Sequence, residues 1–358
     1  MSKTVKILTI NPGSTSTKIA LFEGETNVFQ KNLKHSAEEL APFDKVADQF
    51  GFRKNAILKV LKEEGIGIDD IAYIVGRGGL VKPIASGIYE VNEALLADLR
   101  KGVQGEHASN LGGLIAADLA AQIGAKAYIA DPVVVDELQD VARISGHPAF
   151  ERISIFHALN QKAIARTYAK ENGKKYEDLN LIVAHLGGGI SVAAHCKGKA
   201  IDVNNALDGD GPFSPERSGG LPVGSLIKAC FSGQYTLAQL KKMICGQGGY
   251  VGYLNTNDAY DVEVKAKDGD AKAAMIQEAM AYQVAKEIGA MATVLKGKVD
   301  AILVTGGIAY GKPFVESLKE KVSFLAPVAV YPGEDEMKAL AMNALMLHQG
   351  ELTAKIYC

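Results

Sequence analysis

Two stretches far apart in the chain share one plan, and that repetition limits the possible folds more than any other feature. The first covers residues 5–22: V-K-I-L-T-I, then Asn11-Pro12-Gly13-Ser14-Thr15-Ser16-Thr17-Lys18, then I-A-L-F. The second is Leu181-Ile182-Val183-Ala184-His185-Leu186, Gly187-Gly188-Gly189 and Ile190-Ser191-Val192-Ala193-Ala194. Each places two short apolar runs around a turn of small or polar residues, which is a strand-turn-strand signal. Laid over one another without gaps, Asn11 falls on His185 and Gly13 on Gly187, an offset of 174 residues, the difference between 185 and 11. The same offset carries Glu23-Gly24-Glu25 onto Lys197-Gly198-Lys199, and a weaker echo sets residues 70–76 against 300–306. No short-period repeat is visible, so a solenoid is disfavoured. Two related domains, each opening on such a hairpin, are the simplest account, and 358 residues are long for a single core. Turn formers crowd residues 143–154, including Gly146 and Pro148. The expected division is therefore 1–150 and 151–358, each an α/β domain with a helix-flanked sheet.

The turn chemistry points to anions. Asn11, Gly13, Ser14, Ser16 and Lys18 bring an amide, hydroxyls, an ammonium and successive backbone N–H groups to one turn. Such a concavity can cradle phosphate. An ordinary hydrophilic hairpin is the competing reading of this stretch alone. The second turn offers His185 and the N–H groups of Gly187, Gly188 and Gly189, and two such hairpins facing one cleft could hold a polyphosphate.

Other residues stand where an α/β sheet presents ligands, at the carboxyl ends of strands. A strand over 71–75 runs into Gly76-Arg77-Gly78-Gly79, and one over 127–130 ends at Asp131-Pro132, a carboxylate placed to meet a metal ion or its water shell. Helices are expected over 43–64, 108–123, 155–170 (opening on Phe156-His157) and 271–295, with a final one ending at His348. Residues 208–222 lack any hydrophobic period but carry Arg217 among glycines and prolines, which suits a positioned loop.

Composition excludes several classes. A formal charge of −2 with both signs interspersed argues against a nucleic-acid or membrane-surface protein. The four cysteines (Cys196, Cys230, Cys245, Cys358) form no metal or disulfide spacing, as expected of reduced cytosolic thiols. No signal-peptide h-region or membrane span is found, so a cytoplasmic protein is expected. Gly306-Gly307-Ile308-Ala309-Tyr310-Gly311-Lys312 matches G-x-x-x-x-G-K, but Pro313 stands where a P-loop needs the hydroxyl that holds Mg²⁺. No G-x-G-x-x-G opens a helix after the first strand, and no clustered His/Cys ligand set suggests zinc.

Together these pieces resemble the acetate/butyrate kinases of the actin-like ATPase superfamily, nearly end to end. Asn11 to Lys18 resembles that family's opening N-x-G-S-S-S-x-K signature, Ala184-His185-Leu186-Gly187-Gly188-Gly189 its second phosphate motif, and Thr305-Gly306-Gly307-Ile308 its adenosine-side glycines. Arg77, Asp131, His157 and Arg217 fall in the order of its active-site arginine, aspartate, histidine and second arginine. The departures are specific. Gly78-Gly79 follow Arg77 with no histidine between, Pro132 replaces threonine after Asp131, and Ala158-Leu159-Asn160 replace Gly-Thr-Ser after His157. On these points, and in its shorter length, the chain resembles the butyrate-kinase branch.

The resemblance implies a duplicated, ribonuclease-H-like fold with a central interdomain cleft, the last helix (about 336–349) being free to pack back on the first domain. It implies reversible transfer of a phosphoryl group between ATP and a short-chain carboxylate, with ATP/ADP and Mg²⁺ as cofactors and a homo-oligomeric assembly. Arg77, Asp131, His157 and Arg217 would be catalytic. Asn11, Gly13, Ser14, Ser16, Lys18, His185, Gly187, Gly188, Gly189, Gly306 and Gly307 would bind nucleotide. Asp131 and Glu336 would serve the metal, with Glu334 and Asp335 as competitors for the second role. Acetate or propionate kinase, a P-loop NTPase and a non-kinase actin-like ATPase are the alternatives.

Overall fold

The computed structural model describes residues 4–358. They form two compact units, one running up to Val135 and including Asp335–Cys358, the other Asp136–Glu334. The first unit is built on a six-stranded sheet in the order β3 (Thr26–Lys34), β2 (Ser16–Glu23), β1 (Lys6–Pro12), β4 (Tyr73–Arg77), β6 (Lys126–Ala130), β5 (Ile88–Glu90). The second has five strands: β9 (Lys199–Val203), β8 (Ile190–Cys196), β7 (Asn180–Leu186), β10 (Ala301–Gly306), β11 (Val328–Pro332). In each, three consecutive strands form an antiparallel meander and two later strands add in parallel beside the first. Five strands of the first sheet thus repeat the second sheet in order and direction, and β5, antiparallel to β6 at the edge, has no counterpart.

Register refines the sequence match. β1 and β7 coincide at both ends at the offset of 174, Lys6 with Asn180 and Pro12 with Leu186. Pro12 then pairs with Thr17 across a four-residue turn, whereas Leu186 pairs with Ile190 across a three-residue turn. The gap-free alignment thus holds for the first strand only, and beyond the turn Lys197-Gly198 occupies the place of Gly24-Glu25. The weaker echo also shifts. Ile10 lies beside Gly76, and Ala184 beside Val304, so Arg77-Gly78-Gly79 corresponds to Thr305-Gly306-Gly307, two residues from the sequence match. A two-residue slip leaves every side chain on its own face, which is why the echo was visible at all.

Strand alternation sorts the core of the second unit. Leu181, Val183, Ala301 and Leu303 pack with Ala165 and Ala169 of the helix Ala158–Glu171. Ile182, Ala184, Leu186, Ile302 and Val304 face the other way, onto Met280, Val284 and Ile288 of the helix Ala271–Val294. Strands buried on both faces need near-continuous apolar runs, as these have. Residues 136–152, rich in turn formers, are stitched to this unit: Gln139 N–H donates to Ile201 O (3.0 Å), and Arg152 pairs with Asp202 (2.9 Å).

In the first unit the helices Asn110–Ile123 and Glu336–His348 pack on the sheet. A Cβ at Gly76 would lie 2.2 Å from the Gly112 carbonyl oxygen, and one at Gly112 2.4 Å from that of Arg77. Only a glycine pair allows this approach, and it fixes the backbone that carries Arg77. β5, β9, the helix Glu93–Lys101 and four helices between residues 223 and 267 are additions to the sequence reading. No helix among the described residues is long and apolar enough to cross a membrane.

Candidate active site

The candidate residues of the first unit converge at the carboxyl ends of β1, β4 and β6. Arg77, at the end of β4, sets Nη1 against both oxygens of Glu336, at 2.8 Å from Oε1 and 2.9 Å from Oε2. Asn11, at the end of β1, donates Nδ2–H to Glu336 Oε2 at 2.5 Å and offers Oδ1 to Arg77 at 3.5 Å. Glu336 opens the last helix, where a carboxylate suits the helix dipole. Its neighbours do other work. Asp335 caps the helix by accepting from Lys338 N–H at 2.9 Å, and Glu334 belongs to the second unit, 3.5 Å from His185 Nε2.

Asp131 follows β6 and is 2 % exposed, with a positive φ of 37°. Its Oδ1 accepts from Ser86 Oγ–H (2.6 Å) and Gly87 N–H (2.8 Å), which orients the carboxylate firmly. A Cβ on Gly78 would lie 2.6 Å from Pro132 Cβ. Two departures from the acetate-kinase pattern, after Arg77 and after Asp131, are thus packed on one another.

The turn carrying Gly13, Ser14 and Ser16 is closed by Gly13 N–H to Ser16 O at 2.8 Å. Ser14 and Lys18 are exposed, and Lys18 pairs across the hairpin with Asn11, so their side chains share a face. Beneath the turn lies a residue that the sequence reading missed. Arg53 is fully buried and donates to Gly13 O (2.8 Å), Ser16 O (2.9 Å), Ser14 O (3.1 Å), Thr17 Oγ1 (3.1 Å) and Gln49 Oε1. No carboxylate pairs with it among the described residues, and burial lowers its pKa from the ordinary arginine value. A buried cation with only neutral acceptors is costly unless an anion compensates it. An anion on the turn above would do so. The available signal was its spacing, since Arg53, Ile57 and Leu61 form one buried stripe at i, i+4, i+8. Arg53→Lys keeps the charge but cannot serve so many acceptors. It is expected to raise the nucleotide KM about tenfold, roughly 1.4 kcal/mol, with kcat moved far less. Calorimetric titration with nucleotide, beside steady-state kinetics, checks this.

The second unit assembles its own set. His185 is next to last in β7 and is 1 % exposed; its Nδ1 meets Asn160 Oδ1 at 2.9 Å. Asn160 is the third residue of the Ala-Leu-Asn departure, so that change has a partner in the site. His157 stands at the N-cap of the helix Ala158–Glu171, with Nδ1 2.8 Å from Ser191 Oγ. Its ring stacks on that of His185 with centroids 3.9 Å apart and planes 14° from parallel. Gly187, Gly188 and Gly189 form the turn, with Ser214 Oγ–H donating to Gly188 O at 2.6 Å.

Arg217 lies against this turn. A Cβ at Gly189 would fall 1.9 Å from Arg217 Nη1, so glycine there makes room for the guanidinium. Nη1 donates to Ala206 O, while the buried Nε–H has no protein acceptor among the described residues. Residues 208–222 contain neither helix nor strand, yet they are pinned: Ser214 N–H reaches Arg217 O (3.0 Å) and Ser218 N–H reaches Ile244 O (2.9 Å). At the end of β10, Gly306 and Gly333 exchange both backbone hydrogen bonds (3.0 and 2.9 Å), and exposed Gly307 begins a short helical turn that buries Ile308 and Ala309. A cavity of about 400 Å³ lies beside it, lined in part by Ala309, Tyr310, Lys312, Val330 and Pro332.

The fold is of the duplicated actin-like class, and comparison with known proteins places the chain further. The chain belongs to the acetokinase family: that family's model matches residues 152–326, and full-length relatives are more than half identical. Butyrate kinase 2 of Clostridium acetobutylicum is 59 % identical over 352 residues, 98 % of this chain and 99 % of that protein. A probable butyrate kinase of Bacteroides thetaiotaomicron is 58 % identical over 354 residues, 99 % of this chain and all of that protein. Among solved structures, Porphyromonas gingivalis acetate kinase superposes with a TM-score of 0.77 at 20 % identity, covering 96 % of this chain and 100 % of that one. That likeness establishes the fold.

Proposed function

We propose that this protein transfers the γ-phosphoryl group of ATP to butyrate or a close short-chain carboxylate, reversibly, giving an acyl phosphate and ADP. The observation that carries the reading is 59 % identity to a butyrate kinase across 98 % of the chain. The P-loop reading loses its footing in the same comparisons, and Gly306-Gly307 is assigned to the adenosine side with the adjoining cavity.

The chemistry asks little proton transfer. A carboxylate is already ionised, so one of its oxygens attacks phosphorus directly while the bond from phosphorus to the β-phosphate oxygen breaks, and ADP leaves with that electron pair. Catalysis is then positioning and stabilisation of charge on the transferring group. Arg77 and Arg217 are assigned to that charge, with His157 as a further donor. The turns at 11–18 and 185–189 are assigned to the ground-state nucleotide.

The residues fit Mg²⁺. Asp131, Glu336 and the Asn11 amide are hard oxygen donors of the kind this ion takes. Mg²⁺ is commonly held by one or two carboxylates together with substrate phosphates. Bound there, it would neutralise charge on phosphate oxygens, and Glu336 and Asp131 are the carboxylates assigned to hold it. The assembly is proposed to be a homo-oligomer in the cytoplasm.

A rate series from acetate to valerate with ATP and Mg²⁺, the acyl phosphate trapped by hydroxylamine, tests the assignment. Butyrate is expected to give the highest kcat/KM, by on the order of 10² or more over acetate, since it carries two further methylenes and each in an apolar pocket is worth about 1–3 kcal/mol. A maximum at acetate would move the protein to the acetate-kinase branch, and no trapped product with any acid would end the kinase reading.

A further inference from the structure

His157 reaches Ser191, and Ser191 is the near end of a buried chain of hydrogen bonds that crosses the second unit. Ser191 Oγ lies 2.8 Å from His157 Nδ1 and 2.8 Å from Gln161 Nε2. Gln161 Oε1 lies 2.9 Å from His195 Nε2, and His195 Nδ1 lies 2.6 Å from Tyr176 Oη. Ser191, Gln161 and His195 are fully buried, and Tyr176 is 4 % exposed. A chain of this kind can in principle run in either direction, each hydroxyl and ring turning its proton the other way.

One contact removes that freedom. Gln161 Nε2 also lies 3.1 Å from the main-chain oxygen of Ser191, which can only accept. The NH₂ end of the Gln161 amide must therefore face Ser191, and Oε1 must face His195. His195 then donates from Nε2 and accepts Tyr176 O–H at Nδ1. That requires a neutral ring, and burial, with Lys162 and Arg166 nearby, holds its pKa well below the usual histidine value. At the other end Ser191 Oγ accepts from Gln161 Nε2 and, at 3.5 Å, faces the backbone N–H of His157. Both lone pairs are taken, and its one proton is directed to His157 Nδ1.

We propose that this chain, Tyr176 to His195 to Gln161 to Ser191, locks His157 in the tautomer with an acceptor at Nδ1 and the proton on Nε2, so that His157 presents an N–H donor to the phosphoryl group. The part played by the phosphoryl group rests on the function proposed above; the tautomer does not. Ser191, Gln161, His195 and Tyr176 are positioning residues. They act through His157 and need not touch substrate. The stacked His185 ring fixes the plane in which that N–H points.

Nitrogen-15 NMR of the histidine-labelled protein, read at neutral pH, tests the lock without recourse to activity. The expected spectrum has a pyridine-like Nδ1 and a pyrrole-like Nε2 for His157. In Ser191→Ala the two nitrogens should become a tautomer average, and kcat should fall by on the order of tenfold, the worth of one lost hydrogen bond in the transition state. ATP KM should change less than about twofold, because binding contacts are untouched. Ser191→Thr restores a hydroxyl and should restore both signatures. Tyr176→Phe, remote from His157 and nearly isosteric, should loosen the tautomer in the same direction. A pyrrole-like Nδ1 in the unaltered protein, or an unchanged His157 spectrum in Ser191→Ala, overturns the proposal. Unchanged turnover in His157→Ala would instead remove the phosphoryl role, and the spectrum would still decide the tautomer.

Discussion

Arg217→Lys is expected to lower kcat by on the order of 10³ while the ATP KM changes far less, because an arginine that stabilises transferring phosphoryl contributes at about that scale. The structure explains why lysine should fail. The guanidinium is pressed against the Gly187–Gly189 turn, Nη1 is anchored on the Ala206 carbonyl, and Nε–H remains buried without a protein acceptor. A buried donor left unmade costs about 1–3 kcal/mol. The loop holds that donor in place through the Ser214–Arg217 and Ser218–Ile244 backbone bonds. Lysine supplies charge but only a single point of it, on a longer flexible stem. Steady-state kinetics in both directions, with circular dichroism to confirm the fold, decides the matter. Near-normal turnover would make Arg217 a structural residue of its loop.

Arg77→Lys should be comparably damaging, by about 10³ in kcat, but through a different environment. Arg77 is gripped by Glu336, which is gripped in turn by Asn11, so the three side chains form one unit at the strand ends. Losing the arginine fork loosens the carboxylate that is assigned to Mg²⁺. Glu336→Gln leaves one oxygen to accept from Asn11 and Arg77, and gives up the second Arg77 contact together with the charge. It should therefore lower kcat less than Arg77→Lys but shift activity to higher Mg²⁺ concentration. Residues that share a network are non-additive, so the double variant should fall short of the product of the two single losses. Full multiplicativity, or an Mg²⁺ dependence untouched by Glu336→Gln, would separate the arginine from the metal.

Most of the fold was legible because its signals are local. Both hairpins, the strand expected over 71–75 and found two residues later at Tyr73–Arg77, and the long helix Ala271–Val294 announce themselves by apolar period and by turn residues. The one-residue difference between the two turns was hidden, since His185 and Gly187 align with Asn11 and Gly13 before the difference begins. β5 was too short to show a period, and the helix Val223–Cys230 has no buried residue from which one could be read. Within the site, residues carried on glycine-rich turns could be named from sequence. Those that support them could not. Arg53, Gln161 and Ser191 look like solvated or ordinary polar positions until strand pairing brings them under a turn or behind a histidine. The sorting of Glu334, Asp335 and Glu336 into three tasks likewise depends on where the last helix begins.

The first unit is discontinuous: its strands come early, while Glu336 and the helix that covers β1 and β4 come from Asp335–Cys358. A ribosome therefore makes every residue of the second unit before it makes the segment that completes the first. Nascent chains hold the first sheet with one of its packing helices still missing, and with Arg77 and Asn11 not yet joined to their carboxylate. Domains generally mature in order of synthesis, but here the earlier sheet finishes last. A chain that stops at Glu334 holds every residue of the second unit but no Asn11–Arg77–Glu336 group.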